Sequence, residues 1–202
     1  MNNSPKIGVF GGTFDPPHIG HLILASEACV QFKLDHVLWV LTPDPPHKQM
    51  RSITPLEHRL AMVQLAIDEI PIFKLSYVDL RRSGPYYAVD TLEIISEQNK
   101  GADLVYLVGS DLLQSFPYWV GSTTLVSKCH LIGVARRSEN SFELNPLEKT
   151  IPGVTSKIRF VNIPLMDISS SDIRVDFAKG CPFQDLLPSA VYKYIEDHRL
   201  YR

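Results

Sequence analysis

The sequence predicts an α/β protein built on a doubly wound parallel sheet of about six strands with flanking helices. Three observations predict it. Short runs rich in Val, Ile and Leu recur at 6–10, 36–41, 72–78, 103–109, 129–135 and 158–163, and continuous apolar runs of that length are what strands buried on both faces require. Segments with helical spacing lie between them. Strands that alternate with helices, in turn, build βαβ units and a parallel sheet covered on both sides.

The first helix is read from Ile19, Leu22, Ile23, Cys29 and Val30, the second from Leu60, Val63, Leu65, Ala66 and Ile70, and the third from Val89, Leu92 and Ile95. The stretch 136–157 is polar, holds two prolines and shows little periodicity, so a surface loop is expected there. Two further helices are expected over roughly 169–179 and 188–198. At 202 residues, with no linker or repeat, the chain 1–202 reads as a single domain.

Composition narrows the function. Hydrophobic residues make up 45% and charged residues 21%, ordinary for a globular protein, and a net charge of −2 argues against a broadly basic nucleic-acid surface while leaving room for a local anion site. Apolar runs fall short of the ~18–20 residues that span a bilayer, and the patch in MNNSPKIGVF is too short for a secretory signal, so a cytoplasmic protein without membrane partners is expected. Cys29, Cys129 and Cys181 are odd in number and form no CxxC pair, which fits reduced, packed thiols.

Residues 10–21 read FGGTFDPPHIGH and connect the first strand to the first helix, where open α/β sheets bind ligands. Gly11 and Gly12 let a ligand approach the backbone, with Thr13 beside them, and the helix starting near His18 offers N–H groups and a positive dipole end to an anion. His18 and His21, three apart, fall on one face and can both donate to phosphate oxygens. A metal pair, which would need a third ligand such as Asp15, and ordinary packed histidines are the alternatives; Asp15 itself suits orienting a histidine or capping the helix. Neither the GxGxxG fingerprint nor a Walker P-loop fits the spacing.

A second phosphate grip is ISSSDIR at 168–174. Ser169 and Asp172 have capping-box spacing, so the plain reading is a well-capped helix, yet Ser170, Ser171 and Arg174 would then converge on an anion at its start. In the middle of the chain, TPDPPHK places His47 and Lys48 after the second strand, RRSGPYYAVDTL places Tyr87 and Ala88 before the third helix, and VGSDLLQSFPYWV sets Asp111 and Trp119 beyond the fourth strand. Trp119 offers an aromatic face to a planar ring and the Tyr87 turn offers N–H donors to an anionic group; Trp119 as plain core is the competing reading.

FGGTFDPPHIGH resembles the first signature of the HxGH nucleotidyltransferases, and ISSSDIR resembles their ISSTxIR-like motif, with Ser171 where Thr is commoner. Together with PPHK, EHRLAM, GPYYAVDTL, FPYW, ARR and the ending HRLYR, the motifs run in the order of the bacterial nicotinate mononucleotide adenylyltransferases, nearly end to end. The resemblance implies a Rossmann-like fold and transfer of the adenylyl group of ATP to nicotinate mononucleotide, with Mg²⁺ arriving on the nucleotide and no dedicated protein metal site. It implies that His18, His21, Ser170, Ser171 and Arg174 hold ATP phosphates, that Asp111 meets a ribose, and that Arg136 lies near ATP. It further implies that Trp119 stacks on the nicotinate ring and that His47 and Lys48 line the mononucleotide side. Two positions depart. Tyr86-Tyr87-Ala88 stands where the family usually has Ser-Tyr-Thr, so a threonine hydroxyl is absent though the backbone N–H is kept, and Val120 follows Trp119 where polar or aromatic residues are frequent. The rival readings are a sister adenylyltransferase with a nicotinamide mononucleotide or phosphopantetheine acceptor, a cytidylyltransferase, and a nucleotide-binding sensor without catalysis.

Overall fold

The computed structural model describes residues 4–45, 53–135, 144–164, 166, 168–181 and 184–202. Six strands, β1 (Lys6–Gly12), β2 (His36–Leu41), β3 (Phe73–Ser76), β4 (Asp103–Gly109), β5 (Leu131–Ala135) and β6 (Ile158–Val161), form one sheet in the order β3-β2-β1-β4-β5-β6. Every pairing is parallel. The helices are α1 (Ile19–Phe32), α2 (Leu56–Ile67), α3 (Ala88–Gln98), α4 (Ser122–Lys128), α5 (Asn145–Thr150), α6 (Val154–Lys157), α7 (Ser170–Ala178) and α8 (Ser189–Asp197).

The alternation of side chains along each strand divides the core in two. Phe10, Val37, Trp39, Leu41, Val105 and Leu107 face one layer with α1, α2, α7 and α8. Ile7, Val9, Val40, Leu104, Tyr106 and Val108 face the other, with α3, α4, α5 and α6. The chain winds outward from β1 to β3, returns to β4 and winds the other way, so the strand order reverses between β1 and β4. At such a reversal, connections leave to opposite sides and open a crevice at the carboxyl ends.

Three expectations change. The stretch 144–157 holds α5 and α6 instead of a loop, because Leu147, Ile151 and Val154 bury against the sheet while Glu148 accepts hydrogen bonds from Gly153 N and Thr155 N at 2.6 and 2.9 Å. The expected residues 136–143 of that loop lie outside the described residues. The buried face of α1 is Leu24, Ala25, Ala28 and Cys29, with Val30 74% exposed, since alanines let the helix sit close to the sheet. In α2 the buried face is Arg59, Met62, Val63, Ala66 and Ile67, leaving Leu65 exposed.

Candidate active site

A cavity of about 570 Å³ opens at the reversal point, and its wall includes the carboxyl ends of β1 and β4. On the β1 side it is lined by Gly11, Gly12, Thr13, His18 and His21, and across from them by Ser170, Ser171 and Arg174. Tyr87, Ala88, Asp111 and Trp119 complete the wall, so twelve sequence-predicted residues share one cavity. His47, Lys48 and Arg136 lie outside the described residues.

Backbone geometry fixes the histidine pair. His18 is the N-cap of α1, extended at φ −139°, and its backbone N–H donates to Nδ1 of His21 at 3.1 Å. A ring nitrogen that accepts carries no proton, so neutral His21 keeps its proton on Nε2 as a donor. The two imidazoles stack with centroids 3.6 Å apart, and the rings of Phe10 and Phe14 flank His21 at 5.7 and 5.2 Å. Gly20 explains the HIGH spacing: a Cβ there would come within 3.1 Å of the His18 ring. Gly12 also serves packing, since its Cβ would meet the Phe14 ring at 2.9 Å, whereas at Gly11 the nearest atom is the Tyr106 hydroxyl at 3.5 Å.

The carboxyl-terminal arm is bonded directly to this loop. Ser169 caps α7, accepting from Asp172 N at 3.1 Å as its spacing predicts. Ser170 Oγ donates to the Pro16 carbonyl at 2.9 Å, and Arg174 donates to the carbonyls of Asp15 and Ser170 at 2.7 and 3.2 Å and to Ser171 Oγ at 3.4 Å. The starts of α1 and α7 thus meet across the cavity, two sets of helix N–H groups and dipole ends aimed at one volume.

The cap of α1 is His18 and not Asp15, whose buried carboxylate accepts from the Tyr201 hydroxyl at 2.8 Å and Thr54 N at 3.3 Å, 4.0 Å from Arg174 Nη1. Burial first and Asp15 second push the Tyr201 phenol well above its ordinary range. Arg59, which reads in sequence as part of a core helix, is buried and donates to the carbonyls of Thr13, Thr42, Pro43 and Thr54 at 3.1, 2.9, 2.6 and 2.8 Å. Burial lowers its pKa, and Asp15 is the largest opposing influence. The signal was a charged residue on an apolar stripe, at i, i+3, i+4 and i+7 with Met62, Val63 and Ala66.

On the opposite wall Tyr87 is the N-cap of α3, its backbone extended, and Asp111 sits in a 3₁₀ turn directly after β4. Trp119 is half-buried, packs on Phe116 at 5.2 Å and edge-on to Tyr106 at 6.5 Å, and donates from Nε1 to Ser115 Oγ at 3.2 Å. Its ring is therefore held in orientation with part of its surface open to the cavity. Among the described residues no group of three or more His, Cys, Asp or Glu could hold a metal ion, and no helix is long and apolar enough to cross a membrane.

A cavity at the reversal of a 3-2-1-4-5-6 sheet, bordered by two helix starts that carry paired histidines and an arginine, is where an open doubly wound α/β protein binds its ligand. The chain belongs to the cytidylyltransferase-like family, whose model matches residues 9–176. It is 41% identical over 197 residues to a probable nicotinate-nucleotide adenylyltransferase of Thermomicrobium roseum, covering 98% of this chain and 92% of that one. It is 36% identical over 196 residues to the nicotinate-nucleotide adenylyltransferase of Bacillus subtilis, covering 97% and 98%. The fold matches Plasmodium falciparum nicotinic acid mononucleotide adenylyltransferase, solved in complex with NaAD, at a TM-score of 0.77 and 21% identity over 98% of this chain and 97% of that one.

Proposed function

We propose that this protein transfers the adenylyl group of ATP to nicotinate mononucleotide, forming nicotinate adenine dinucleotide and pyrophosphate in NAD biosynthesis, with the whole chain acting as one unit in the cytoplasm. The observation that carries the reading is the meeting of His18, His21 and Arg174 in one cavity whose far wall presents the Trp119 ring. It is supported by relatives named for this activity over nearly the full chain.

The triphosphate lies between the α1 and α7 starts, with Gly11, Gly12 and Thr13 under the phosphates, Ser170 and Ser171 above them, Arg136 near ATP and Asp111 at a ribose. The acceptor occupies the Trp119 side, with its ring on the indole and its carboxylate at the Tyr87 and Ala88 amides, and the family resemblance assigns His47 and Lys48 to the mononucleotide side. A phosphate oxygen of the acceptor attacks the α-phosphorus of ATP, a new P–O bond forms, the bond to the β-phosphate oxygen breaks, and pyrophosphate leaves with that electron pair. The acceptor phosphate, with a second pKa of about 6, is largely ionised at neutral pH and needs no general base. His21 Nε2–H, the Arg174 guanidinium and the helix amides stabilise charge on the phosphoryl oxygens as it shifts. Mg²⁺ carried on the nucleotide would neutralise further phosphate charge.

The test is pyrophosphate release from ATP with nicotinate mononucleotide, nicotinamide mononucleotide and phosphopantetheine offered in parallel. Nicotinate mononucleotide should give the highest kcat/KM. Release with none of them, or fastest release with phosphopantetheine, would remove the reading.

A further inference from the structure

Beneath the Tyr87 turn lies a charged cluster to which the reaction above assigns no role. Asp79 is 2% exposed, and with Thr91 it lines the cavity. Thr91 Oγ1 lies 2.8 and 3.0 Å from the two Asp79 carboxylate oxygens. Behind them stands Arg82, which donates from Nε to Asp79 Oδ1 at 2.8 Å and from Nη2 to Thr91 Oγ1 at 3.1 Å. The same guanidinium donates to the carbonyls of Pro85 and Tyr87 at 3.0 and 3.5 Å, packs over the Tyr86 ring, and has the more exposed Asp90 at 3.8 Å as its second anionic neighbour.

We propose that the Asp79–Arg82 ion pair determines specificity by setting how strongly the cavity prefers an acidic acceptor ring over its amide. This rests on the acceptor reading above, with the ring substituent at the Tyr87 and Ala88 turn. A buried carboxylate in that wall, left alone, repels an anionic substituent and offers an acceptor oxygen to an amide NH₂, so it favours the neutral ring. Arg82 cancels that field from behind while its own bonds to Pro85 and Tyr87 hold the turn in place. The two effects separate by measurement: loosening the turn weakens both acceptors alike, whereas changing the charge moves their ratio. Ala88, which lacks the hydroxyl that the Ser-Tyr-Thr pattern would supply, leaves more of the choice to this pair.

The experiment measures kcat/KM for nicotinate and nicotinamide mononucleotide at saturating ATP in the full chain and in Arg82→Gln, Asp79→Asn, the double variant and Arg82→Lys. Arg82→Gln should lower the acid-to-amide ratio by roughly tenfold or more, the scale of one uncompensated charge at short range in a partly buried site. Asp79→Asn should raise the ratio, and the double variant should return it close to the parent value. Arg82→Lys keeps the charge and loses the fork geometry, so both KM values should rise while the ratio holds, and this milder variant decides the question if the others fail to fold. A ratio within twofold of the parent in Arg82→Gln, or an Arg82→Lys ratio as low as that of Arg82→Gln, overturns the proposal. Parent protein that uses neither acceptor overturns the reaction itself, a result visible before any variant is made.

Discussion

Arg59→Met removes the donor that joins three stretches of chain beside the cavity, at Thr13, Thr42–Pro43 and Thr54. The side chain volume is nearly kept, so the loss is that of four hydrogen bonds to the carbonyls of Thr13, Thr42, Pro43 and Thr54. Bonds to a charged group contribute about 1.5–3 kcal/mol each, a gross loss of about 6–12 kcal/mol. Against it stands the desolvation of the buried cation, several kcal/mol that the variant recovers. The net expected cost is about 3–5 kcal/mol, the range found when one partner of a buried charged network is removed. For a chain of this size each kcal/mol moves Tm by about 2–4 °C, so Tm should fall by roughly 6–20 °C. Since the proposed function sets Thr13 under the phosphates, the KM for ATP should rise in whatever fraction stays folded. Urea and thermal unfolding give the first number and steady-state kinetics the second. A loss below about 1 kcal/mol with an unchanged KM would refute the idea that this one guanidinium anchors the loops.

Three further outcomes follow from the same geometry. His21→Ala and Arg174→Ala should each lower kcat by about 10²–10³, as removal of one preorganised donor does, with Tm nearly unchanged in His21→Ala and lowered in Arg174→Ala by the loss of its bonds to the Asp15 and Ser170 carbonyls, about 1–3 kcal/mol; folded protein with undiminished kcat in either variant would make that residue structural. Tyr201→Phe removes the hydroxyl that donates to Asp15 and should cost about 1–2 kcal/mol at neutral pH. Because burial and Asp15 raise the Tyr201 phenol above its reference of 10.0, the protonated form is favoured by folding, so its contribution is complete below pH 10 and fades as pH climbs past it; denaturation at pH 8 to 11 should show a flatter decline for Tyr201→Phe than for the parent. Burial pushes the Cys29 and Cys129 thiols up to about 11 and about 12 while Cys181 is exposed, so iodoacetamide at pH 8 should label Cys181 in the native chain and all three cysteines in denaturant, read by mass spectrometry.

How much of this was legible depends on what kind of contact each feature rests on. β2 and β4 fall at 36–41 and 103–109 as read, because strands buried on both faces must be continuously apolar and so announce themselves. The N-cap of α7 and the place of the first motif were legible too, since Ser169 and Asp172 are three apart and FGGTFDPPHIGH runs from the end of β1 into the start of α1. Helix faces were less so: Val30 and Leu65 fit an apolar stripe by count yet point to solvent, because Ala25, Ala28 and Ala66 bury as well as larger residues and the hydrophobic pattern alone does not say which way the stripe turns. The short helices at 145–157 escaped because their apolar signal is one or two residues each and their ends are satisfied by Glu148.

What stayed hidden is more instructive, since it is the part that fixes the geometry of the site. Tyr201 meets Asp15 across 186 positions, and Arg174 reaches the Asp15 carbonyl across 159. Arg59, Arg174 and Ser170 all act largely on backbone carbonyls, and every residue type carries one of those, so no pattern of side chains marks the receiving end. The donors can still be found from sequence, as polar or charged residues where an apolar face is expected. Arg59 among Met62, Val63 and Ala66 is such a misfit, and a buried cation there has to find acceptors to offset its desolvation. The carbonyls exposed by an irregular loop that turns away from its strand are the acceptors at hand. The irregular stretches that follow β1 and β2 and precede α2 therefore create the very demand that the misfit arginine meets, and the two features are one physical requirement read from opposite ends.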